Sequence, residues 1–269
     1  MTVFAGLKLG DWRRPTLATD ARINVVRALR IGWLVVTLLT ATAAWSGQPT
    51  SFKVRIDISQ VPKAKPYVEP TRKLIKEWYP KINAILFGKD YPLPLKEVQV
   101  IFEPKTETGS GAHRTDVPAR EDEDLPRSLG KIHVNFGYLE RVHYPYLATM
   151  IHELTHVNQQ YKNCPEWLLE GIADYVRHKY YERDIEPKLP MPIHEYQVDQ
   201  ARFRKEGYLA GYTITAPFLY WLEMRKDSDL LTTLNHALLQ GNYSEALFRE
   251  RCGASVEALW SEFISQCEP

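Results

Sequence analysis

The sequence predicts an α+β fold, with a small mixed sheet in the N-terminal half and helices in the C-terminal half. Two observations predict it. Short segments with alternating apolar and polar residues lie between residues 51 and 136, and after Tyr144 the apolar spacing is helical almost throughout to Gln266. Strands first and helices afterwards is the order typical of α+β proteins. Hydrophobic residues at 44% and charged residues at 25% are ordinary for a globular chain, and they exclude a disordered or collagen-like one.

Three segments have the period-2 pattern of half-buried strands. In residues 51–59 apolar side chains alternate with polar ones, and residues 97–102 and 131–136 are the next two such segments. A further short strand is expected at residues 111–114, inside a loop that covers residues 104–130 and is rich in glycine, proline and charge.

A helix is predicted between the first two strands. Residues 68–87 have apolar side chains at helical spacing around Leu74, Trp78 and Ile82. Pro80 lies inside this segment. Because proline lacks an N–H and its ring clashes with the preceding turn, we expect Pro80 to bend or split the helix.

Residues 1–45 are predicted to be a signal peptide or an N-terminal membrane anchor. Directly after Arg27 and Arg30, residues 31–44 form a run of apolar or small residues without charge. The run fits the core of a signal peptide better than a membrane span, which needs roughly 20 apolar residues. An uncleaved anchor is the alternative, and a buried helix of the fold is a third. The first two place residues 46–269 in extracellular or periplasmic space, with membrane contact only through residues 31–44.

The charge distribution argues against nucleic acid as a partner. Residues 51–269 hold 28 Lys and Arg against 31 Asp and Glu, a net charge of −3. Nucleic-acid-binding domains carry a clustered basic excess, which this part of the sequence lacks.

The cysteine content excludes a disulfide scaffold, because the chain has three cysteines. A single bridge between Cys252 and Cys267 stays open. It requires a turn between the two, since a straight helix would hold them about 22 Å apart.

The helix after Pro145 carries the motif that points most directly to chemistry. Its residues 152–156 are His-Glu-Leu-Thr-His, an H-E-x-x-H sequence with apolar flanks. Histidines four positions apart on a helix differ by about 40° around the axis and about 6 Å along it, so both imidazoles can reach one metal ion. Glu153 lies roughly 60 to 100° from both, off the metal but within reach of a water molecule bound to it. The alternative, an ordinary polar helix face, is disfavoured by the apolar flanks.

Glu170 is the expected third ligand. If the first helix ends near Tyr161 and a second begins at Pro165, His156 lies five residues before the turn and Glu170 five after it. An antiparallel pair of helices then brings these two residues level. A solvated helix carboxylate is the alternative. The competing ligand Glu166 lies in the first turn of the second helix, where an acidic residue is expected to meet the helix dipole in any case.

Asp174 and Gly171 support the same site. Asp174 follows Glu170 by one helical turn, where it can accept the second ring N–H of a ligating histidine; a surface charge is an equal alternative. Gly171 permits a close helix approach. Two neutral imidazoles, one carboxylate and an open position for water form a catalytic zinc set, whereas structural zinc sites are closed by four protein ligands. The sequence therefore predicts Zn²⁺ held by His152, His156 and Glu170.

These residues resemble the basic secretory protein family of plants and bacteria, secreted zinc metallopeptidases of the gluzincin type. The resemblance is sharp where HELTH at residues 152–156 is followed by EGIADYVR at residues 170–177, and it extends from about residue 51 to the end, including residues 211–222. It implies a zincin-like metallopeptidase domain over residues 46–269. It also implies roles for five residues: zinc ligands His152, His156 and Glu170, general base Glu153, and hydrogen-bond partner Asp174. The slightly acidic charge of residues 51–269 departs from the family's name.

The expected activity is hydrolysis of a peptide or protein substrate by a zinc-activated water, with Glu153 as the general base. The oxyanion that forms needs a donor besides the metal. Tyr208, Tyr212 and His178 are candidates, and Tyr212 is preferred because the resembling segment includes it. An extended substrate is expected to pair with a free sheet edge near residues 111–114.

The main alternative is a non-catalytic exported binding protein. Such a protein would keep the zincin-like fold and hold cell-wall material or a partner on its surface. The seven Trp and 15 Tyr suit carbohydrate contacts as well as an ordinary core. Zinc-dependent hydrolysis of another kind of bond is a third hypothesis. The presence of every residue that hydrolysis needs favours the peptidase.

Overall fold

A small sheet and the long helix packed on it form the N-terminal part of the fold, and helices form most of the rest. The computed structural model describes residues 51–105, 112–116, 129–142, 146–183 and 205–267. All of these ranges fall within one compact unit, residues 46–269. The observed order of elements confirms the α+β prediction.

The sheet is mixed. Within the described ranges it has four strands: β1 (Lys53–Asp57), β2 (Glu97–Glu103), β3 (Ala112–Asp116) and β4 (Leu129–Asn135). Their order in space is β1-β2-β4-β3. The strands β1, β2 and β4 are parallel, whereas β3 runs antiparallel to β4 at the edge. Side chains along β2 and β4 alternate between buried and partly exposed, as the period-2 pattern predicted. Each predicted strand is present, with ends that differ from the predicted ones by up to two residues.

The helix α1 (Lys65–Phe87) follows β1 and packs on the sheet as one continuous helix. The prediction that Pro80 bends or splits this segment is therefore wrong where it implies two helices. Tyr79 and Ile82, on either side of the proline, are fully buried and keep one helix face against the core. The Tyr79 hydroxyl also accepts a hydrogen bond from the N–H of Leu95 at 2.9 Å and lies 3.1 Å from the Leu95 carbonyl oxygen. These contacts anchor the turn at which Pro80 removes a backbone hydrogen bond.

A short helix that the sequence did not predict follows β4. The predicted strand 131–136 ends one residue early, and α2 (Phe136–Val142) begins there. The cause is Asn135, whose Oδ1 accepts a hydrogen bond from the N–H of Tyr138 at 3.0 Å. This is an N-cap interaction, which satisfies a backbone donor of the first helical turn.

The remaining described elements are helical, as predicted. They are α3 (Tyr146–Asn158), α4 (Glu166–Val176) with a π-helix after it (Arg177–Glu182), a 3₁₀ turn (Gly207–Ala210), α5 (Tyr212–Arg225), α6 (Leu230–Gln240), α7 (Ala246–Cys252) and α8 (Val256–Cys267). The predicted entry of α3 at Pro145 lies outside the described residues. The helix ends at Asn158, three residues before the predicted end near Tyr161.

The predicted signal peptide or anchor, residues 1–45, lies outside the described ranges. In the part of the chain that the structure describes, no helix combines the length and the apolar character that crossing a bilayer requires.

The bridge that was considered between Cys252 and Cys267 is not formed, because Cys252 carries a free thiol. Cys252 is the last residue of α7 and Cys267 the last of α8.

Candidate metal centre

The imidazoles of His152 and His156 meet on one side of α3. The helix is buried along nearly its whole length, because Met150, Ile151 and Leu154 pack into the core. The two rings stand edge to face with centroids 4.6 Å apart, and their Nε2 atoms are 3.0 Å apart. One helical turn thus presents two nitrogen atoms to the same point.

Glu170 of α4 completes a group of three. Its Oε2 lies 3.1 Å from Nε2 of His152 and 3.3 Å from Nε2 of His156. The ligand atoms of the three residues all lie within 4.8 Å of one another, so the group can hold a metal ion. The competing residue Glu166 is exposed in the first turn of α4 and is not part of the group.

Each histidine is held at its other ring nitrogen. Asp174 Oδ1 lies 2.6 Å from Nδ1 of His152, and Gln159 Oε1 lies 2.7 Å from Nδ1 of His156. The amide of Gln159 is oriented, because its Nε2 donates to the carbonyl oxygen of Leu169 at 3.1 Å. Both ring nitrogens therefore face acceptor oxygens, and both Nδ1 atoms carry a proton. The two Nε2 atoms are then the ring nitrogens that bind a metal ion once they carry no proton.

This donor set fits a divalent cation. With a proton on each Nδ1, two nitrogen lone pairs and one carboxylate oxygen converge to within 3.3 Å of one another. Acceptors at such distances repel one another unless a proton or a metal ion lies between them. The residues are therefore arranged for a positive charge at their centre.

The electrostatics favour the same charge. Burial lowers the pKa of His152, but Asp174, Glu170 and Glu153 outweigh it and raise that pKa to about 10. Burial raises the pKa of Glu170, yet the two histidines outweigh it and hold the pKa well below its ordinary range. The pKa of Asp174 is also lowered: burial raises it, but His152 outweighs burial and holds it below its ordinary value. Ionised carboxylates thus surround the imidazoles, which favours binding of a cation.

Arg177 holds the carboxylate of Asp174 from the other side. Its Nη1 lies 3.3 Å from Oδ1 and its Nη2 3.4 Å from Oδ2. Arg177 is itself fixed at the start of the π-helix: Nη2 donates to Nε2 of His178 at 2.6 Å, and Nε lies 3.3 Å from Oε2 of Glu182. Asp174 is 2% exposed, so this cation offsets a charge that would otherwise be buried without compensation.

Glu153 lies beside the group but outside it. Its side chain is buried, and among the described residues no hydrogen bond or ion pair engages its carboxylate. It still contributes to raising the pKa of both His152 and Tyr212, as a negative charge nearby does. A buried carboxylate therefore lies next to the ligand group.

Tyr212 is placed by a turn with two residues in the left-handed region. Gly211 has φ 68° and Tyr212 has φ 47°. Glycine is favoured at 211 because a side chain is strained at this positive φ; the space is ordinary, since an added Cβ would lie 3.4 Å from the Cβ of Glu170. Strained φ at a non-glycine residue is more frequent at functional sites. The turn brings the Tyr212 ring next to His152.

The three candidate oxyanion donors have different surroundings. Tyr212 is 39% exposed; burial and then Glu170 raise the pKa of its hydroxyl to about 12, so it stays protonated and can donate. Tyr208 is buried, with its hydroxyl 3.4 Å from Oε1 of Glu257. His178 is engaged by Arg177 and by Glu182. Of the three, the structure brings Tyr212 against a histidine of the metal group.

Close packing of α4 on α5 supports these positions. An added Cβ at Gly171 would lie 2.4 Å from Cγ2 of Thr215, far inside contact distance. Thr215 is in turn fixed by its hydroxyl, which donates to the carbonyl of Tyr208 at 2.6 Å. The helix that supplies Glu170 and the helix that begins at Tyr212 are therefore held in direct contact.

Gln159 and Arg177 are the site residues that sequence reasoning missed. Gln159 follows His156 by three positions and Arg177 follows Asp174 by three, the helical spacing at which side chains meet. That spacing is the signal that could have found them. The spacing alone was not sufficient, because each side chain also joins two elements. Gln159 contacts the Leu169 carbonyl of α4, and Arg177 of the π-helix contacts Asp174 of α4.

Comparison with known proteins agrees with this site. A family model described as "Peptidase of plants and bacteria" matches residues 127–263, half of the chain, and this range includes every residue of the metal group. Searches of curated proteins and of solved structures find no match. The family assignment therefore rests on the family model and agrees with the resemblance drawn from HELTH and EGIADYVR. The chain belongs to this peptidase family of plants and bacteria.

Proposed function

We propose that the protein is a zinc metallopeptidase that hydrolyses peptide bonds with Glu153 as its general base. One observation carries the proposal. Two imidazole nitrogens and a carboxylate oxygen converge within 4.8 Å, with the H-E-x-x-H glutamate buried beside them and outside the ligand set. Membership of a peptidase family supports it.

The donor set favours zinc as the metal. Two nitrogens and one carboxylate oxygen are ligands that Zn²⁺ takes at tetrahedral sites, whereas Ca²⁺ and Mg²⁺ prefer oxygen ligands alone. Three protein ligands instead of four are typical of catalytic zinc, because a position is left for water or substrate. Zincins have this arrangement, and we propose that residues 46–269 form a zincin-like domain.

Each residue of the site has a separate role in hydrolysis. When bound, zinc polarises the substrate carbonyl and makes a coordinated water more acidic. Glu153 takes the proton that the attacking water loses and later passes it to the leaving amine. The pKa of the Tyr212 hydroxyl is raised to about 12, so this hydroxyl is protonated at neutral pH. It donates a hydrogen bond to the developing oxyanion. Asp174 holds His152 in the tautomer that leaves Nε2 for the metal.

A peptide substrate has an edge to pair with. In the sheet described here, β3 is the last strand in spatial order, and it lies next to α3. Backbone pairing with that edge would hold an extended peptide near the metal group without selecting its sequence. We propose export of the protein by residues 31–44, as a cleaved signal peptide or a retained anchor; N-terminal sequencing of the mature chain tests this.

The decisive experiment compares the purified chain with its Glu153→Gln variant on an unfolded protein such as casein. Zinc content is measured in both. We expect the wild type to cleave casein and the variant, with equal zinc, to be slower by on the order of 10³-fold. Glu166→Gln, which removes an exposed carboxylate on α4, is the matched control and keeps the wild-type rate.

Two outcomes would contradict the proposal. Equal cleavage by wild type and Glu153→Gln would show that Glu153 is not the base. Bound zinc without cleavage by the wild type would favour the alternative, a non-catalytic exported protein that binds cell-wall material or a partner.

A further inference from the structure

Gln159 is joined to both helices that carry the metal group. Its Oε1 accepts a hydrogen bond from Nδ1 of His156 at 2.7 Å, and its Nε2 donates to the Leu169 carbonyl at 3.1 Å. Leu169 immediately precedes Glu170 in α4. One amide side chain therefore contacts one ligand directly and the backbone beside another.

The amide is fixed in place. Gln159 is 2% exposed, and its backbone N–H donates to the Thr155 carbonyl at 3.0 Å, which keeps it in helical register just beyond the end of α3. Turning the amide over would place its N–H against the protonated Nδ1 of His156 and its oxygen against the Leu169 carbonyl. Buried polar atoms without partners are costly, so one orientation is favoured strongly.

Besides Glu170 itself, two side chains bridge α3 and α4. Asp174, on α4, reaches His152 on α3 at 2.6 Å. Gln159, at the end of α3, reaches α4 at Leu169. The bridges lie about one helical turn apart, because they serve histidines four residues apart.

We infer that Gln159 is a positioning residue of the metal centre, which fixes the tautomer of His156 and the distance between His156 and Glu170. The inference rests on the metal centre proposed above. Because an amide is neutral, Gln159 supports His156 without the negative charge that Asp174 brings to His152. The two histidine ligands therefore differ in how strongly they donate to the metal.

The test is Gln159→Leu in the full chain, with Gln160→Leu as the matched control. Gln160 has the same side chain one position further, and its Nε2 donates to the Val157 carbonyl at 3.0 Å. Zinc affinity is measured by competition with a chromophoric chelator. We expect Gln159→Leu to bind zinc about 10- to 100-fold more weakly and Gln160→Leu to stay within about twofold of wild type. Wild-type affinity in Gln159→Leu, or equal losses in both variants, would overturn the inference.

Gln159→Glu keeps the test valid if the leucine variant does not fold. A carboxylate still accepts from Nδ1 of His156 but cannot donate to the Leu169 carbonyl. Because the bridge to α4 is lost, we expect an altered visible spectrum of the Co²⁺-loaded protein. An unchanged spectrum would overturn the bridging role.

A spectroscopic measurement separates this inference from the proposed function. In ¹⁵N spectra of metal-free protein, we expect His156 to hold its proton at Nδ1 in the wild type and to lose that preference in Gln159→Leu. This result would support the role of Gln159 even if the wild type bound no zinc, in which case the proposed function alone would fail. An unchanged Nδ1 signal in the variant would overturn the inference.

Discussion

The ring of Tyr212 lies parallel to the imidazole of His152, with centroids 5.9 Å apart and planes 7° apart. The parallel arrangement joins the first residue of α5 to a residue in the middle of α3. Tyr212 is 39% exposed, and burial and then Glu170 raise the pKa of its hydroxyl to about 12. Tyr212 is thus set by the same packing that sets the ligands.

Removal of the Tyr212 hydroxyl is expected to slow catalysis without releasing metal. For Tyr212→Phe we expect kcat to fall about 10²-fold with little change in KM, because an oxyanion donor acts in the transition state. Zinc affinity should stay at the wild-type value. Steady-state kinetics on a fluorogenic peptide measure this, with Tyr208→Phe as the matched control that keeps the wild-type kcat. A rise in KM at constant kcat would show that Tyr212 binds substrate instead.

Zinc affinity is expected to increase with pH. The pKa of His152 is raised to about 10, so below that pH a proton competes with the metal for its Nε2. Glu170 has its pKa held low, stays ionised throughout, and adds no pH dependence here. We therefore expect the apparent affinity to rise about tenfold per pH unit between pH 7 and 9.

Competition titrations corrected for protonation of the chelator measure this slope. Calorimetry in two buffers of different ionisation enthalpy counts the released protons, and we expect about one from His152 at pH 7.5. A constant affinity over this range would show that His152 is already neutral in the metal-free protein.

Gly171→Ala is expected to destabilise the protein by about 2 kcal/mol, since overpacking of a filled contact typically has this effect. The new Cβ would lie 2.4 Å from Cγ2 of Thr215. Thr215→Ser removes that methyl group and keeps the hydroxyl that binds the Tyr208 carbonyl, so the double variant should recover part of the loss. Urea unfolding of metal-free protein gives these free energies. Additive losses in the double variant would contradict direct contact.

Much of the fold and of the metal group was predictable because local sequence determines it. Alternation gave the strands, and the spacing of His152, His156 and Glu170 predicted a group that the structure brings together. The metal group was predictable because it depends on the helical period of α3 and on the short connection between α3 and α4.

The missed features depend on contacts between elements. Pro80 does not split α1, because burial of Tyr79 and Ile82 outweighs the local preference of proline. Gln159 shows its role only once the Leu169 carbonyl of another helix is placed beside it. Asn135 differs from these two cases, because an N-cap depends on local sequence alone. It was missed because the alternating strand pattern continues through it.

The close packing of Gly171 on Thr215 links the retention of metal to the resistance of the chain to proteolysis. One face of α4 holds Glu170 at the metal group, and the neighbouring Gly171 packs so closely on α5 that an added Cβ would lie 2.4 Å from Cγ2 of Thr215. Because segments that pack together open together, we expect α4 and α5 to loosen as one unit. A ligand that binds the folded state alone stabilises that unit. On the function proposed above, a molecule that loses zinc stops cleaving and at once becomes easier to cleave. Zinc-bound molecules would then cleave zinc-free ones, so that zinc-bound protein would accumulate.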